Sequence, residues 1–171
     1  MTAEKEQLEK AAINYFVKAY PRKVRVLEHS DKPDFTLLDE KDKSKIGVEI
    51  AHLWHDKKEA KILLGRSEQK FHGIMCHTDL IKVLNNLLEQ KANKINGFEK
   101  HDRSFLVIRV ASPLFDLSTF NMYEKSIICP KNNYDRIWLV LDDNNKRTRW
   151  TELKEIKSDN ILQHGLAGSL A

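Results

Sequence analysis

"KPDFTLLDEKDKSKIGVEIAHLWH", residues 32–55, contains two segments with the composition of β-strands on either side of a charged loop. Segments 34–39 and 45–53 carry most of the apolar residues, and the four residues between them, 40–43, are all charged. This arrangement predicts an antiparallel hairpin. Glu49 lies inside the second predicted strand among apolar neighbours, where an unpaired charge is costly to bury.

The register of this predicted hairpin brings a second acid, Asp34, opposite Glu49. A four-residue loop pairs Asp39 with Ser44, and counting back along the antiparallel ladder pairs Asp34 with Glu49. Directly opposite residues project from the same face, with Cβ atoms about 4.5–5.5 Å apart. A shift of one residue would place the two carboxylates on opposite faces. We therefore expect both acids in one pocket that is small enough to hold a shared cation through its oxygen ligands.

The rest of the chain predicts an α/β domain. The apolar patterns indicate helices at 3–20, across much of 56–100 (clearest at about 79–96) and at about 118–128, and further strands at 24–28, 105–111 and 137–141. This order favours a mixed central β-sheet flanked by helices, with a parallel final strand–helix–strand unit. A length of 171 residues suits a single domain, 1–171, whose last residues, 165–171, we expect to form a loose tail.

Composition places few limits on the partner. The formal net charge of +4 favours an anionic partner only weakly, because 29 basic residues are offset by 25 acidic ones. No run of eighteen apolar residues is present, and the first ten residues are charged where a secretory signal is apolar. We therefore expect a cytoplasmic protein with no membrane partner. Two cysteines are too few for a disulfide framework.

The pair Pro33-Asp34 followed by Glu49 in an apolar strand, after an amphipathic helix, resembles the PD-(D/E)XK nuclease superfamily. The resemblance implies a restriction-endonuclease-like fold and a metal-dependent nuclease that hydrolyses phosphodiester bonds, with DNA preferred to RNA as the nucleic-acid partner. It implies Asp34 and Glu49 as ligands of Mg²⁺, or of Mn²⁺ in its place. Because many enzymes of this superfamily act as dimers, it also leaves a homodimer open.

One position departs from the superfamily's pattern. Lysine normally stands two residues after the second acid, and this chain has Ala51 there. Some members resemble a variant in which a lysine of the following helix reaches the same space, so Lys91 or Lys94 is the candidate, and we select Lys91 as the third catalytic residue. Members also carry an acid on the first helix, for which Glu9 is the match. The missing lysine favours an alternative function, a catalytically inactive nuclease-fold module that binds nucleic acid or protein.

A second group of residues suggests a different metal. Five candidate zinc ligands fall within 26 residues, and they are His52, His55, His72, Cys76 and His77. Their spacings do not form the paired motifs of most structural zinc sites. In a regular strand His52 also points away from the face of Glu49, so it is a poor replacement for the missing lysine. A zinc-stabilised interaction protein remains a third alternative.

Overall fold

A computed structural model describes residues 2–53, 77–110, 115–142 and 151–157 of the chain. Helices α1, α2 and α3 span Ala3–Ala19, His77–Ala92 and Leu117–Met122. Strands β1 to β6 span Val24–His29, Phe35–Asp39, Lys45–Leu53, Arg103–Val110, Arg136–Asp142 and Thr151–Lys157. Two short 3₁₀ turns cover Ile95–Gly97 and Glu124–Ser126.

The six strands form one mixed sheet in the order β1-β2-β3-β4-β5-β6. The first three strands are joined as antiparallel neighbours, β3 pairs in parallel with β4 and β4 with β5, and β6 returns antiparallel to β5. The two parallel pairs at the centre are the strands with the most continuous apolar sequence, as expected for strands buried on both faces. The predicted mixed sheet with flanking helices is therefore confirmed.

Helix α1 covers one face of the sheet. The Thr2 side chain caps its first turn by accepting a hydrogen bond from the Lys5 N–H, and the chain leaves the helix just before Pro21. Its apolar stripe packs on inward-facing residues of β2 to β5 through Ala12, Ile13, Phe16 and Tyr20. The rings of Phe16 and Tyr20 contact those of Phe105 and Trp138 in the sheet. These contacts hold α1 against β4 and β5.

Helices α2 and α3 cover the opposite face. The buried side of α2 is formed by Leu80, Ile81, Leu84 and Leu88, and α3 adds Phe120. They pack on alternate residues of the central strands, among them Ala51, Leu106, Ile108 and Leu139. Because Glu49 pairs with Leu106 in the parallel ladder and lies two residues before Ala51, its side chain projects on this α2 face.

The structure differs from the expected secondary structure at two places. The helix expected over about 118–128 ends at Met122 and continues only as a 3₁₀ turn, because Asn85 binds the backbone of residues 126 and 128 in a non-helical course. The sixth strand, Thr151–Lys157, was not predicted at all. It is an edge strand with a largely polar sequence, TELKEIK, so it lacks the apolar pattern that marks a buried strand.

Several predictions fall outside the described residues. They concern His55, His72, Cys76, the part of the expected helical region before His77, and the tail at 165–171. In the described part of the chain, no helix combines the length and the apolar character needed to cross a membrane.

Candidate functional site

The hairpin of β2 and β3 has the register that places Asp34 opposite Glu49. Phe35 pairs with Val48 and Leu37 with Ile46, and the Asp39 N–H donates to the Ser44 carbonyl at 2.9 Å. The pair that follows Phe35 and Val48 along this ladder is Asp34 and Glu49. The register predicted from the length of the loop is therefore confirmed.

Asp34 lies at the point where β2 begins and β3 continues beyond its pairing with β2. Ile50 lies on β3 beyond the residues that pair with β2, and its N–H donates a hydrogen bond to Asp34 Oδ2 at 2.8 Å. The Asp34 carbonyl in turn accepts a hydrogen bond from the Ser30 N–H at 2.8 Å. Asp34 is only 4% exposed, so its carboxylate is held rigidly against the strand that carries Glu49.

Lys91 reaches the same place from helix α2. It follows Leu84 and Leu88 at helical spacing, so it continues the buried stripe of α2 beyond the apolar core. Its Nζ atom lies 2.7 Å from Glu49 Oε1, and both side chains are largely buried. Lys94 is exposed and lies past the end of α2. The structure thus brings Asp34, Glu49 and Lys91 together and leaves Lys94 outside the site.

The electrostatics of this group are dominated by the two adjacent carboxylates. Burial, followed by the negative charge of Glu49, raises the pKa of Asp34 from 3.8 to about 7, although the hydrogen bond from the Ile50 N–H opposes the rise. Lys91 forms an ion pair directly with Glu49, whereas the charge of Lys5 lowers the pKa of Asp34 by less than burial and Glu49 raise it. Asp34 is therefore the carboxyl group that takes up a proton near neutral pH.

The donor set suits a hard divalent cation. Glu49 Oε2 is buried and has no hydrogen-bond partner within the part of the chain that the structure describes. This oxygen and the Asp34 carboxylate are oxygen ligands whose mutual repulsion a cation would relieve. Mg²⁺ needs only one or two protein carboxylates because it retains several water ligands. The residues present therefore fit Mg²⁺ or Mn²⁺, and Asp34 and Glu49 are the side chains that would hold the ion.

The position of the missing lysine has a structural explanation. Ala51 is 5% exposed and belongs to the apolar cluster beneath α2, so a lysine at this position would have to bury its amine among leucine side chains. The amine that lies beside Glu49 is that of Lys91 on α2. His52 lies on the α1 face, where burial and then the positive charge of Arg109 lower its pKa to about 4. His52 therefore lies on the opposite face of β3 from Glu49, as the alternation of side chains along a strand predicts.

Glu9, the acid predicted on the first helix, is buried close to this group but bonds elsewhere. Its carboxylate is 3.0 Å from His29 Nε2 and 3.3 Å from Lys5 Nζ. The charge of Glu9 also contributes to the raised pKa of Asp34, although less than burial and Glu49 do. Glu9 is therefore close enough to influence Asp34 while its own direct partners come from α1 and β1.

Two neighbours of the site had no clear signal in the sequence. Tyr134 is 2% exposed, and its pKa is raised by burial and then by the charges of Glu49 and Asp34, so its phenol lies near both carboxylates. His101 lies 2.9 Å through Nε2 from Thr36 Oγ1, two residues along β2 from Asp34. Both residues precede strands that are recognisable in the sequence, but only tertiary packing brings them to the site.

The two described members of the predicted zinc cluster lie apart. His52 is on the α1 face, whereas His77 begins α2 and packs against Phe115 and Tyr123 on the other side of the sheet. Within the described ranges, no group of three or more histidine, cysteine or acidic side chains is placed to hold a metal ion. The other three predicted ligands lie outside those ranges.

Comparisons of this chain with protein-family models, with curated proteins and with solved structures found no match.

Proposed function

We propose that this protein is a metal-dependent nuclease with a restriction-endonuclease-like fold of the PD-(D/E)XK type, acting on DNA in preference to RNA. The observation that carries the proposal is the 2.7 Å contact of Lys91 Nζ with Glu49 Oε1, beside an Asp34 carboxyl whose pKa is raised to about 7. Two acids and an amine converge here although forty-two residues separate Glu49 from Lys91. Strongly perturbed ionisable groups cluster at functional sites.

The three side chains divide two tasks between them. Asp34 and Glu49 would hold Mg²⁺, which when bound acidifies water and stabilises the charge that develops on a phosphodiester. Lys91 has N–H groups beyond the one given to Glu49, and these can hold a water molecule or a phosphate oxygen. The hydrogen bond from Ile50 to Asp34 keeps the first carboxylate in place, so the site is organised before a substrate arrives.

The test is a cleavage assay on single-stranded DNA, double-stranded DNA and RNA, with Mg²⁺, with Mn²⁺ and with a chelator. We expect metal-dependent cleavage by the unaltered chain and a loss of at least about 100-fold in Asp34→Asn, Glu49→Gln and Lys91→Met. Lys94→Met is the matched control, because Lys94 is exposed and lies near the end of the same helix. Cleavage that survives all three site substitutions would overturn the proposal.

One observation favours a second candidate, the inactive nuclease-fold module that binds nucleic acid or protein. The direct Lys91–Glu49 ion pair is also what a purely structural neutralisation of a buried acid would produce. A metal titration separates the two functions. A binding site for Mg²⁺ stabilises the folded chain by about 1.4 kcal/mol at ten times the dissociation constant. An unchanged melting temperature at millimolar Mg²⁺ and Mn²⁺, with nucleic-acid binding intact, would favour the inactive module.

A further inference from the structure

A polar cleft of about 420 Å³ lies beside the carboxylate pair. It is enclosed by the 3₁₀ turn Ile95–Gly97, the segment that leads into β4 and the segment that leads into β5. Its walls include the half-buried ring of Phe98 and the side chains of Asn96, His101, Ser104 and Asn133. Its volume is within the range of sites that bind small molecules.

The cleft and the carboxylate pair share a wall. Ser104, which lines the cleft, pairs with Gly47 in the ladder, and Gly47 lies two residues from Glu49, a distance of about 7 Å along β3. The His101 imidazole covers Gly47 so closely that a Cβ atom there would lie 3.1 Å from Nδ1. Gly47 is therefore the residue that allows His101 to lie against the sheet.

The orientation of His101 is fixed by two hydrogen bonds. Nδ1 lies 3.0 Å from the Glu99 carbonyl, which can only accept, so Nδ1 carries the proton in the neutral ring. Nε2 is then the acceptor for the Thr36 hydroxyl at 2.9 Å. Thr36 lies two residues from Asp34 on the same face of the hairpin, so the imidazole joins the cleft to the acid pair.

The opening of the cleft carries one donor and one acceptor side by side. Asn133 Nδ2 donates to Asn96 Oδ1 at 2.7 Å. This hydrogen bond uses the side-chain oxygen of Asn96 and one N–H of Asn133. It leaves the side-chain NH₂ of Asn96 and the side-chain oxygen of Asn133 to contact a ligand. If the O and N atoms of both side-chain amides are exchanged, one donor and one acceptor are still left for the ligand. A paired donor and acceptor is the pattern that asparagine presents to the edge of a nucleobase.

The charges of the cleft favour an uncharged ligand over a phosphate. Three acidic residues line it, Glu99, Asp102 and Asp135, against one lysine, Lys100. Asp102 and Asp135 accept hydrogen bonds from the backbone N–H groups of Lys45 and Ser104. A phosphate would be repelled here, whereas a polar, flat and neutral group would not.

We propose that this cleft binds one unstacked nucleobase of the strand whose phosphate lies at Asp34 and Glu49, an inference that rests on the proposed function. The distance of about 7 Å along β3 from Gly47 to Glu49 corresponds to about two nucleotide steps, so the base belongs to a nucleotide within about two positions of the cleaved bond. Phe98 supplies an aromatic surface for stacking, and the two asparagines read the base edge. Extruding a base from a duplex costs a few kcal/mol, so the preferred substrate carries an unpaired base at this position.

The first arm of the test uses uncharged nucleosides without metal, and so does not depend on catalysis. Adenosine, guanosine, cytidine and thymidine are titrated to millimolar concentrations into ¹⁵N-labelled chain and into Asp34→Asn. We expect saturable shifts of the Asn96 and Asn133 side-chain amide signals for at least one nucleoside, equal in both proteins. Asn133→Ala should weaken this binding by about five- to tenfold, and Asn14→Ala, an exposed asparagine on α1, should not.

The second arm measures cleavage of a duplex with one unpaired base against the fully paired duplex. We expect the unaltered chain to favour the unpaired substrate, and the ratio of the two cleavage rates to fall toward one in Asn133→Ala. Nucleoside shifts that fail to saturate, or that persist unchanged in Asn133→Ala, would overturn the base-binding cleft whether or not cleavage occurs. Saturable nucleoside binding with no cleavage of any substrate would support the cleft and count against the nuclease.

Discussion

Replacing Asp34 by asparagine should make the protein more stable at alkaline pH, and by an amount that the structure sets. Asparagine keeps an oxygen for the Ile50 N–H, which donates to Asp34 at 2.8 Å, but removes the charge that lies beside Glu49. The pKa of Asp34 rises from 3.8 to about 7 in the folded chain. Each pKa unit corresponds to about 1.4 kcal/mol, so above pH 7 the ionised Asp34 lowers the free energy of unfolding by about 4 kcal/mol.

The sign of the pH dependence follows from the direction of this pKa change. Between about pH 4 and about pH 7 the folded chain keeps a proton on Asp34 that the unfolded chain has released, so the free energy of unfolding falls as the pH rises. Below this window the carboxyl is protonated in both states and no difference remains. Above it the full effect is present. The variant lacks this titration, so its advantage grows from near zero to about 4 kcal/mol across the window.

Urea unfolding followed by circular dichroism, at several pH values between 4 and 9 and without divalent metal, measures this difference. Asp31→Asn is the matched control, because Asp31 is exposed and precedes Asp34 in the same loop. We expect no pH-dependent gain in the control. A difference between the unaltered chain and Asp34→Asn that is the same at all pH values would refute the reasoning, since it would mean that Asp34 titrates alike in both states.

Two further substitutions test the ion pairs that hold the hairpin and the helix. Lys91→Met should destabilise the chain by about 2–4 kcal/mol, because it leaves Glu49 buried without its cation partner. The control Lys94→Met should change the free energy of unfolding by less than about 0.5 kcal/mol. Equal urea midpoints for the two variants would contradict this prediction. Asp39→Asn should cost about 2–3 kcal/mol at neutral pH, because fully buried Asp39 forms ion pairs with both Arg22 and Arg103. The pKa of Asp39 is held well below its ordinary 3.8, chiefly by the hydrogen bond from Arg22, so its stabilisation is lost as the pH falls below about 4. An acid unfolding limb that is as steep in Asp39→Asn as in the unaltered chain would count against that origin.

The two carboxylates could be paired from the sequence because their relation is local. The length of the charged loop at 40–43 fixes the register of the β2–β3 hairpin, and the register fixes which side chains share a face. The helix stripe of α1 and the apolar runs of β4 and β5 were predictable for the same reason, since each pattern is written within one element.

The amine, the cleft and the sixth strand were decided by tertiary structure. The sequence offers both Lys91 and Lys94, and although we select Lys91 from it, only the docking of α2 through Leu84 and Leu88 brings that amine to Glu49. Tyr134 and His101 lie near the site although they are far from Asp34 and Glu49 in the sequence, and periodicity within one element does not predict such contacts. Strand β6 owes its place to pairing with the edge of β5 rather than to its own polar sequence. Local periodicity therefore determined the elements and the acid pair, whereas side chains contributed from distant elements depend on packing energies summed over the whole core.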